Sequence, residues 1–580
     1  MFKIPYFRLS FLLLIFSTFE TYLSAKVVEA PVGFIRGRDL EFSDGKVLEY
    51  LGVPFAYPPI GEYRFKAPVE LLKPAWNGIR DASIPATSCM QYIKNINFSG
   101  YDDLNPKNLI SEDCLELNMW VPEKHSGNVI VFIFGGSYNF GSPSLDIYNG
   151  SILALKSESI IVNLNYRLGI FGFGYLGENS QVKGNMGFLD QQVGLKWVHD
   201  NIAAFGGDPS KVTLFGESAG AASVTAHLLS EGSHPYFSKV IVSSGVISNL
   251  WATVTEEIAK ENTISVSKLL GCKGDDSEVL QCLQKVDATT LLLTSLSVSH
   301  PKQLPLHIPF FPIDKDTVFF KGSVGEKLKN WDIKSDADML IGRTADEATY
   351  FMPLLLEKYG CKFDPSKKVN SIVNQCLLDD RIFAGVIQMI SNMTGFNESE
   401  MMSLYSAYYN VKIKKTRGKV ARLLADFLFD CTVATFAQNY HDKTKRKVYF
   451  YEYKKRSPIN PWPKWMGAMH GWELEHIFGY PFRYPGKYQE KELEDEKEFS
   501  GKLIEYIKNF VASGNPDAKW KQFEGEISKA MVISQSISNP EYDKHVSARP
   551  KTCKGLDMVF SEFAGRKIRE YMESLKPKNN

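Results

Sequence analysis

Ser218 lies in Gly216-Glu217-Ser218-Ala219-Gly220, between the apolar run Val212 to Phe215 and a helix-forming run that continues through Leu229. A serine on a tight strand-to-helix turn has its hydroxyl held clear of the sheet, and the next backbone N–H points at the reacting oxygen. Glycine two residues to either side leaves room for so sharp a turn. A serine nucleophile also needs a base, an acid to orient that base, and N–H donors for the developing oxyanion. At such turns the acid and then the histidine follow the serine along the chain, which confines the search to residues beyond 218.

For the acid, Asp346 and Glu347 both follow the apolar strand that ends at Ile341-Gly342, and both qualify on chemistry. For the base, His470 sits in the glycine-flanked, aromatic stretch Met466 to Trp472, and His476 competes six residues later. For the donors, Gly135-Gly136-Ser137 follows a strand, and its N–H groups can converge with that of Ala219 on one oxygen.

These side chains require a sheet to hold them. Val129 to Phe134, Ile160 to Tyr166, Val212 to Phe215 and Val240 to Ser244 are apolar β runs, and Gly187 to Asn201 has helical character between the second and third. Met339 to Gly342 and Val448 to Tyr453 resume the strand pattern. Apolar strands alternating with helices predict an α/β sheet covered on both faces. Residues 55 to 115 read as surface loops, 380 to 440 as mostly helical, Glu490 to Lys502 as a solvated helix face, and Lys567 onward as a last amphipathic helix.

The formal net charge is +1, from 67 Lys and Arg against 66 Asp and Glu, so there is no global pull toward nucleic acid or an anionic membrane, and only a local patch could supply one. Lys3 and Arg8 precede the apolar Leu9 to Phe16, and Ser24-Ala25 follows, which predicts a cleaved secretory leader over residues 1–25 and one catalytic domain over 26–580. No later stretch has the length of a transmembrane helix. Eight cysteines without a C-x-x-C pair predict disulfides rather than a metal site. Sequons at Asn97, Asn149, Asn392 and Asn397 are compatible with surface glycosylation of a secreted chain.

From about residue 28 to 560 the text resembles the type-B carboxylesterase family, and within it the cholinesterases. The resemblance rests on Ser111-Glu112-Asp113-Cys114-Leu115-Glu116-Leu117-Asn118, Gly184 to Gln191, Trp197 to Ile202, Phe205 to Pro209, and Trp462 to Gly471. It implies an α/β-hydrolase fold, with Ser218 as nucleophile, Glu347 as acid, His470 as base, and oxyanion donors at Gly136, Ser137 and Ala219. It also implies the bonds Cys89–Cys114, Cys272–Cys282 and Cys431–Cys553, leaving Cys361–Cys376 as a fourth pair, and buried ion pairs Arg64–Glu112 and Arg167–Asp190. Substrate-binding roles would fall to Glu217, Trp251, Tyr350, Phe351 and Trp462. No metal or cofactor is implied; the partners would be a small ester and a second copy of the chain through C-terminal helices.

Several positions depart from that pattern. Leu104 stands where cholinesterases place the tryptophan that holds the choline cation. Ser137 replaces the third glycine of the oxyanion loop, Leu306-His307-Ile308 replaces acyl-pocket phenylalanines, and Asn139 and Leu354 replace rim tyrosines, while Tyr92 is kept. The expectation is a secreted ester hydrolase of the cholinesterase-like type. A broad carboxylesterase for neutral esters and a non-enzymatic adhesion or sequestering relative are the alternatives.

Overall fold

The computed structural model describes residues 26–303, 308–524, 528–539 and 541–574. The expected leader over 1–25 and the acyl-pocket residues Leu306 and His307 lie outside the described residues.

Eleven strands form one mixed sheet. In chain order they are β1 (Arg38–Phe42), β2 (Gly45–Pro54), β3 (Glu116–Pro122), β4 (Val129–Ile133), β5 (Ile160–Leu164), β6 (Val212–Glu217), β7 (Lys239–Ser243), β8 (Asp338–Thr344), β9 (Val448–Tyr453), β10 (Lys529–Ile533) and β11 (His545–Ser547). Their spatial order is β11-β10-β9-β8-β7-β6-β4-β5-β3-β2-β1. The run from β10 to β5 is parallel, with antiparallel pairs at both ends. β4, β5 and β6 are buried along their whole length, as strands covered on both faces must be, which is why they read as unbroken apolar runs. This is the α/β-hydrolase architecture, a large sheet flanked by helices.

The helices that matter here are α1 (Met186–Asn201), α2 (Ala219–Leu229), α3 (Asp380–Thr394), α4 (Thr416–Ala425), α5 (Cys431–Thr444), α6 (Glu490–Ser513) and α7 (Cys553–Ser574). A π-helical turn, Asp426–Asp430, joins α4 to α5. Two expectations need correcting. The acidic-basic run from Glu490 is not a purely solvated face: α6 buries Phe499, Leu503, Ile507 and Phe510 on one side, and even Glu496, which pairs with Lys455 and His476. The last helix begins at Cys553, not near Lys567, because its first turn is fixed by the bond to Cys431.

The four disulfides are Cys89–Cys114, Cys272–Cys282, Cys361–Cys376 and Cys431–Cys553. Arg64 binds Glu112 through two N–H groups at 2.6 and 2.5 Å, and Arg167 binds Asp190 at 2.7 Å through each of two. Both pairs are two-pronged, the second fully buried and the first mostly so, which fixes the loops they join more firmly than a surface pair would. Among the described residues no helix is long and apolar enough to cross a membrane.

Candidate active site

β6 ends at Glu217, Ser218 takes φ 57° and ψ −123°, and α2 starts at Ala219. A left-handed φ is uncommon for serine and marks a turn held by its surroundings. Here the Ser218 N–H donates to the Ser243 carbonyl at 2.9 Å. A Cβ at Gly216 would meet the Gly220 carbonyl oxygen at 2.2 Å, and one at Gly220 would meet the Ile133 carbonyl oxygen at 2.0 Å. Both glycines of the motif are therefore required by close backbone approach.

β4 pairs with β6 so that Ile133 lies beside Gly216, which delivers the loop Gly135 to Gly141 next to Ser218. Gly136 has φ 105°, and a Cβ there would meet the Phe140 carbonyl oxygen at 2.1 Å. Ser137 has φ 52°, a left-handed conformation reserved for glycine in most chains. Asn139 holds it there by donating to the Ser137 carbonyl and the Phe310 carbonyl, each at 2.7 Å. Gln91 clamps the far end, donating to the Gly141 carbonyl and accepting from the Gly141 N–H. Gly136 and Ser137 line the same cavity as Ser218, and Ala219 follows the serine at the head of α2.

β7 and β8 bring in the acid. Glu347 accepts from Ser244 Oγ and from the Thr344 N–H, both at 2.6 Å, and its other oxygen lies 2.5 Å from His470 Nδ1. Burial would raise its carboxyl, but His470 and these donors hold it below the usual carboxylate range. Asp346, chemically equivalent in the sequence, turns away and accepts from the Ala468 N–H at 3.0 Å. His476 is likewise occupied elsewhere: it is buried between Tyr453, at 2.8 Å, and Glu496, at 2.7 Å.

The other nitrogen of His470, Nε2, lies 3.2 Å from Glu217 Oε1 and forms no hydrogen bond among the described residues. Burial lowers the tendency of the imidazole to charge, but Glu217 and Glu347 outweigh it and push its pKa up to about 9. Glu217 is fully enclosed, and burial raises its carboxyl to about 8, against the opposing pull of His470. Two rings brace the imidazole, Phe429 at 4.8 Å and Phe351 at 5.0 Å. Phe429 lies on the π-helical turn, whose Leu428 carbonyl accepts from Asn249 and from Trp251 Nε1, each at 2.8 Å.

A cavity of about 500 Å³ opens on Gly136, Ser137, Glu217, Ser218 and His470. Leu104, Tyr148, Tyr350, Phe351 and Trp472 form apolar walls, and Asp103, Asp146 and Lys487 carry charge at its periphery. Two proposed wall residues do not line it. Trp462 is almost wholly buried behind Tyr350, with Tyr101 at 4.7 Å and Phe98 at 4.9 Å edge-on to it. Trp251 lies against Phe429 and the turn below, so its effect on the cavity passes through that ring. Tyr92 is half exposed and outside the cavity.

Sequence reasoning passed over Trp472 and Glu473. Trp472, two residues after His470, stands in the wall beside Tyr350. Glu473 is fully buried and accepts from Ser243 Oγ, itself bonded to Tyr451. Burial and the nearby Glu347 raise its carboxyl to about 7. An acid three residues beyond a candidate base, in an apolar stretch, was the available signal.

A family model described as the carboxylesterase family matches residues 24–551. Acetylcholinesterase 4 of Caenorhabditis briggsae is 34% identical over 541 residues, covering 90% of this chain and 85% of that protein. The acetylcholinesterase of Bungarus fasciatus is 36% identical over 496 residues, 84% of this chain and 78% of its own length. A cholinesterase of Mus musculus is 33% identical over 525 residues, 88% and 84% of the two chains. The serine turn, the sheet that carries it and this end-to-end similarity agree: the chain belongs to the carboxylesterase family and is a serine carboxylic ester hydrolase.

Proposed function

We propose that Ser218, His470 and Glu347 form the catalytic triad, with the N–H groups of Gly136, Ser137 and Ala219 as the oxyanion hole. The observation that carries this is the Glu347–His470 contact at 2.5 Å beside a left-handed Ser218 that shares the imidazole's cavity. His470 Nε2 takes the Ser218 proton as Oγ bonds to the ester carbonyl carbon. The carbonyl oxygen becomes an oxyanion facing the three N–H donors. Collapse of that intermediate breaks the ester C–O bond, and the alcohol leaves with the proton from His470. Water then adds to the acyl-enzyme by the same route and frees the acid and Ser218. Glu347 fixes the imidazole tautomer throughout and stabilises its charged form.

The substrate class we propose is choline esters or related small carboxylic esters. Tyr350 and Trp472 supply aromatic walls and Glu217 carboxyl oxygens in the cavity, features suited to a small organic cation. Leu104 favours a second reading, a broad carboxylesterase for neutral esters, because an aliphatic wall offers a cation nothing. The deciding experiment compares kcat/KM for acetylcholine and its uncharged isostere 3,3-dimethylbutyl acetate. A preference of about tenfold or more for the cation, roughly 1.4 kcal/mol, supports the first reading, and a ratio near one supports the second. The triad has its own test: an organophosphate should label Ser218 stoichiometrically, and unlabelled folded protein would refute the assignment.

The reading includes one catalytic domain over 26–580, secreted after removal of residues 1–25, as four disulfides in an extracellular chain would suit. Asn97, Asn392 and Asn397 are exposed and available to carry glycans. Asn149 is half-buried and bonded to Ser151, which makes it the poorest acceptor of the four. Pairing of two copies through C-terminal helices would use α7, whose Met558 and Ile568 are exposed; sedimentation at micromolar concentration tests it.

A further inference from the structure

The net charge of the chain is near zero, yet one face concentrates lysine. The Cys361–Cys376 loop carries Lys362, Lys367 and Lys368, all exposed. The segment before α4, Lys412-Ile413-Lys414-Lys415, adds three more exposed lysines, and Lys358 and Lys464 flank the pair. None of the eight holds an ion pair among the described residues. The segments meet in space. Arg417 donates to the Gln375 carbonyl and covers the Trp465 ring at 4.7 Å, Trp465 Nε1 donates to the Asn374 carbonyl at 2.7 Å, and the Lys464 N–H donates to Asn370 at 2.9 Å. The acids nearby are fewer, and most are engaged: Asp364 by Ser366, Asp379 by Arg381, Asp380 by Tyr409 and Thr416, which leaves Glu357 beside Lys358.

The same loop exposes aliphatic side chains that the core does not use. Ile372 is 71% exposed, Leu377 63%, and Val373 40%, while Leu354 on the preceding turn is 42% exposed. Single exposed aliphatics are ordinary, but a ridge of them on one loop marks an interaction surface. This ridge is also pre-ordered. The disulfide closes the loop, buried Asn374 bonds the Asp364 N–H and the Asp364 and Lys368 carbonyls, and Phe363 packs on Trp462 at 5.2 Å.

We propose that this face docks the enzyme on a lipid surface bearing anionic headgroups, with Ile372, Val373 and Leu377 entering the acyl boundary and the lysines lying among the phosphates. A membrane interface pairs shallow apolar insertion with attraction of basic side chains, and both are present together here. A sulfated polysaccharide or other soluble polyanion would use the lysines and leave the aliphatic ridge without a role. The contact is peripheral and requires no spanning segment.

The test is co-sedimentation of the full chain with vesicles of phosphatidylcholine alone and of equimolar phosphatidylcholine and phosphatidylserine. Binding is expected to the anionic vesicles only and to weaken as salt rises. Removing three lysines in Lys412→Ala/Lys414→Ala/Lys415→Ala should lower the partition coefficient about a hundredfold, at about fivefold per lysine. Ile372→Ser/Leu377→Ser should lower it about tenfold or more while leaving its salt dependence in place. Unchanged thermal midpoints establish that both variants are folded. Absence of binding to anionic vesicles at low salt would overturn the proposal. So would binding that survives both variants, or binding that the lysine variant abolishes and the Ile372/Leu377 variant leaves intact, the pattern of a polyanion site.

Discussion

Glu217 Oε1 lies 3.2 Å from His470 Nε2, the nitrogen that would accept the serine proton in the proposed triad, so the proposed base is flanked by a carboxyl group on each side. An ionised Glu217 stabilises imidazolium, which cannot act as a base. Glu217→Gln removes that anion, so the pKa of His470 falls and its neutral form persists to lower pH. The acidic limb of the kcat/KM profile should move down by about one pH unit. A limb that stays in place would show that Glu217 is already protonated across that range.

Leu104 faces the cavity where a π face would meet a cation. Leu104→Trp should raise kcat/KM for acetylcholine relative to its uncharged isostere by several-fold to tens-fold, from about 1–2 kcal/mol of cation–π attraction. Steady-state kinetics on both esters decide it. An equal change for both would mean the new ring only reshapes the cavity.

Ser137 adopts φ 52° under the hold of Asn139. A left-handed non-glycine residue costs about 1–2 kcal/mol, and glycine returns about 0.5–1 kcal/mol of that as lost chain entropy on folding. Ser137→Gly should therefore stabilise the fold by up to about 1.5 kcal/mol in a urea titration, the difference of those two terms. Removing the Cβ also widens the oxyanion loop, which should relieve discrimination against bulky acyl groups.

Gly220 has no such latitude. The Ile133 carbonyl oxygen stands 2.0 Å from where its Cβ would sit. Gly220→Ala should destabilise the protein by about 3 kcal/mol or more, since backbone on both sides must move. Calorimetry measures this directly, and a loss below about 1 kcal/mol would mean that the β4–α2 contact yields more readily than close packing allows.

The part of the site legible in the sequence was the part set by backbone geometry. Only glycine tolerates the contacts at Gly216 and Gly220, so the serine turn is written in residue types. The central strands, buried on both faces, appear as apolar runs for a comparable reason. Choosing Glu347 over Asp346 was beyond local chemistry, because the choice depends on the direction each side chain takes from adjacent positions. The resemblance assigns Trp462 to the cavity, yet it sits in a packed aromatic cluster that supports Tyr350 from behind. β3 and β10 were missed as strands. β3 begins inside a charged signature that reads as loop, and β10 is a five-residue run whose parallel partners on β9 lie 80 positions away. Glu473 was missed because a buried acid is invisible without its partners, here Ser243 from another strand.

The order in which the sheet delivers these groups has a bearing on biosynthesis. Ser218 and its turn complete β6 early in the chain, but Glu347 and His470 follow from β8 and beyond β9, themselves separated by 123 residues. A nascent chain can expose the serine long before any base reaches it. On the proposed triad, a chain still being made is expected to be silent toward esters, and a fragment that ends short of the histidine loop is expected to resist serine-directed poisons.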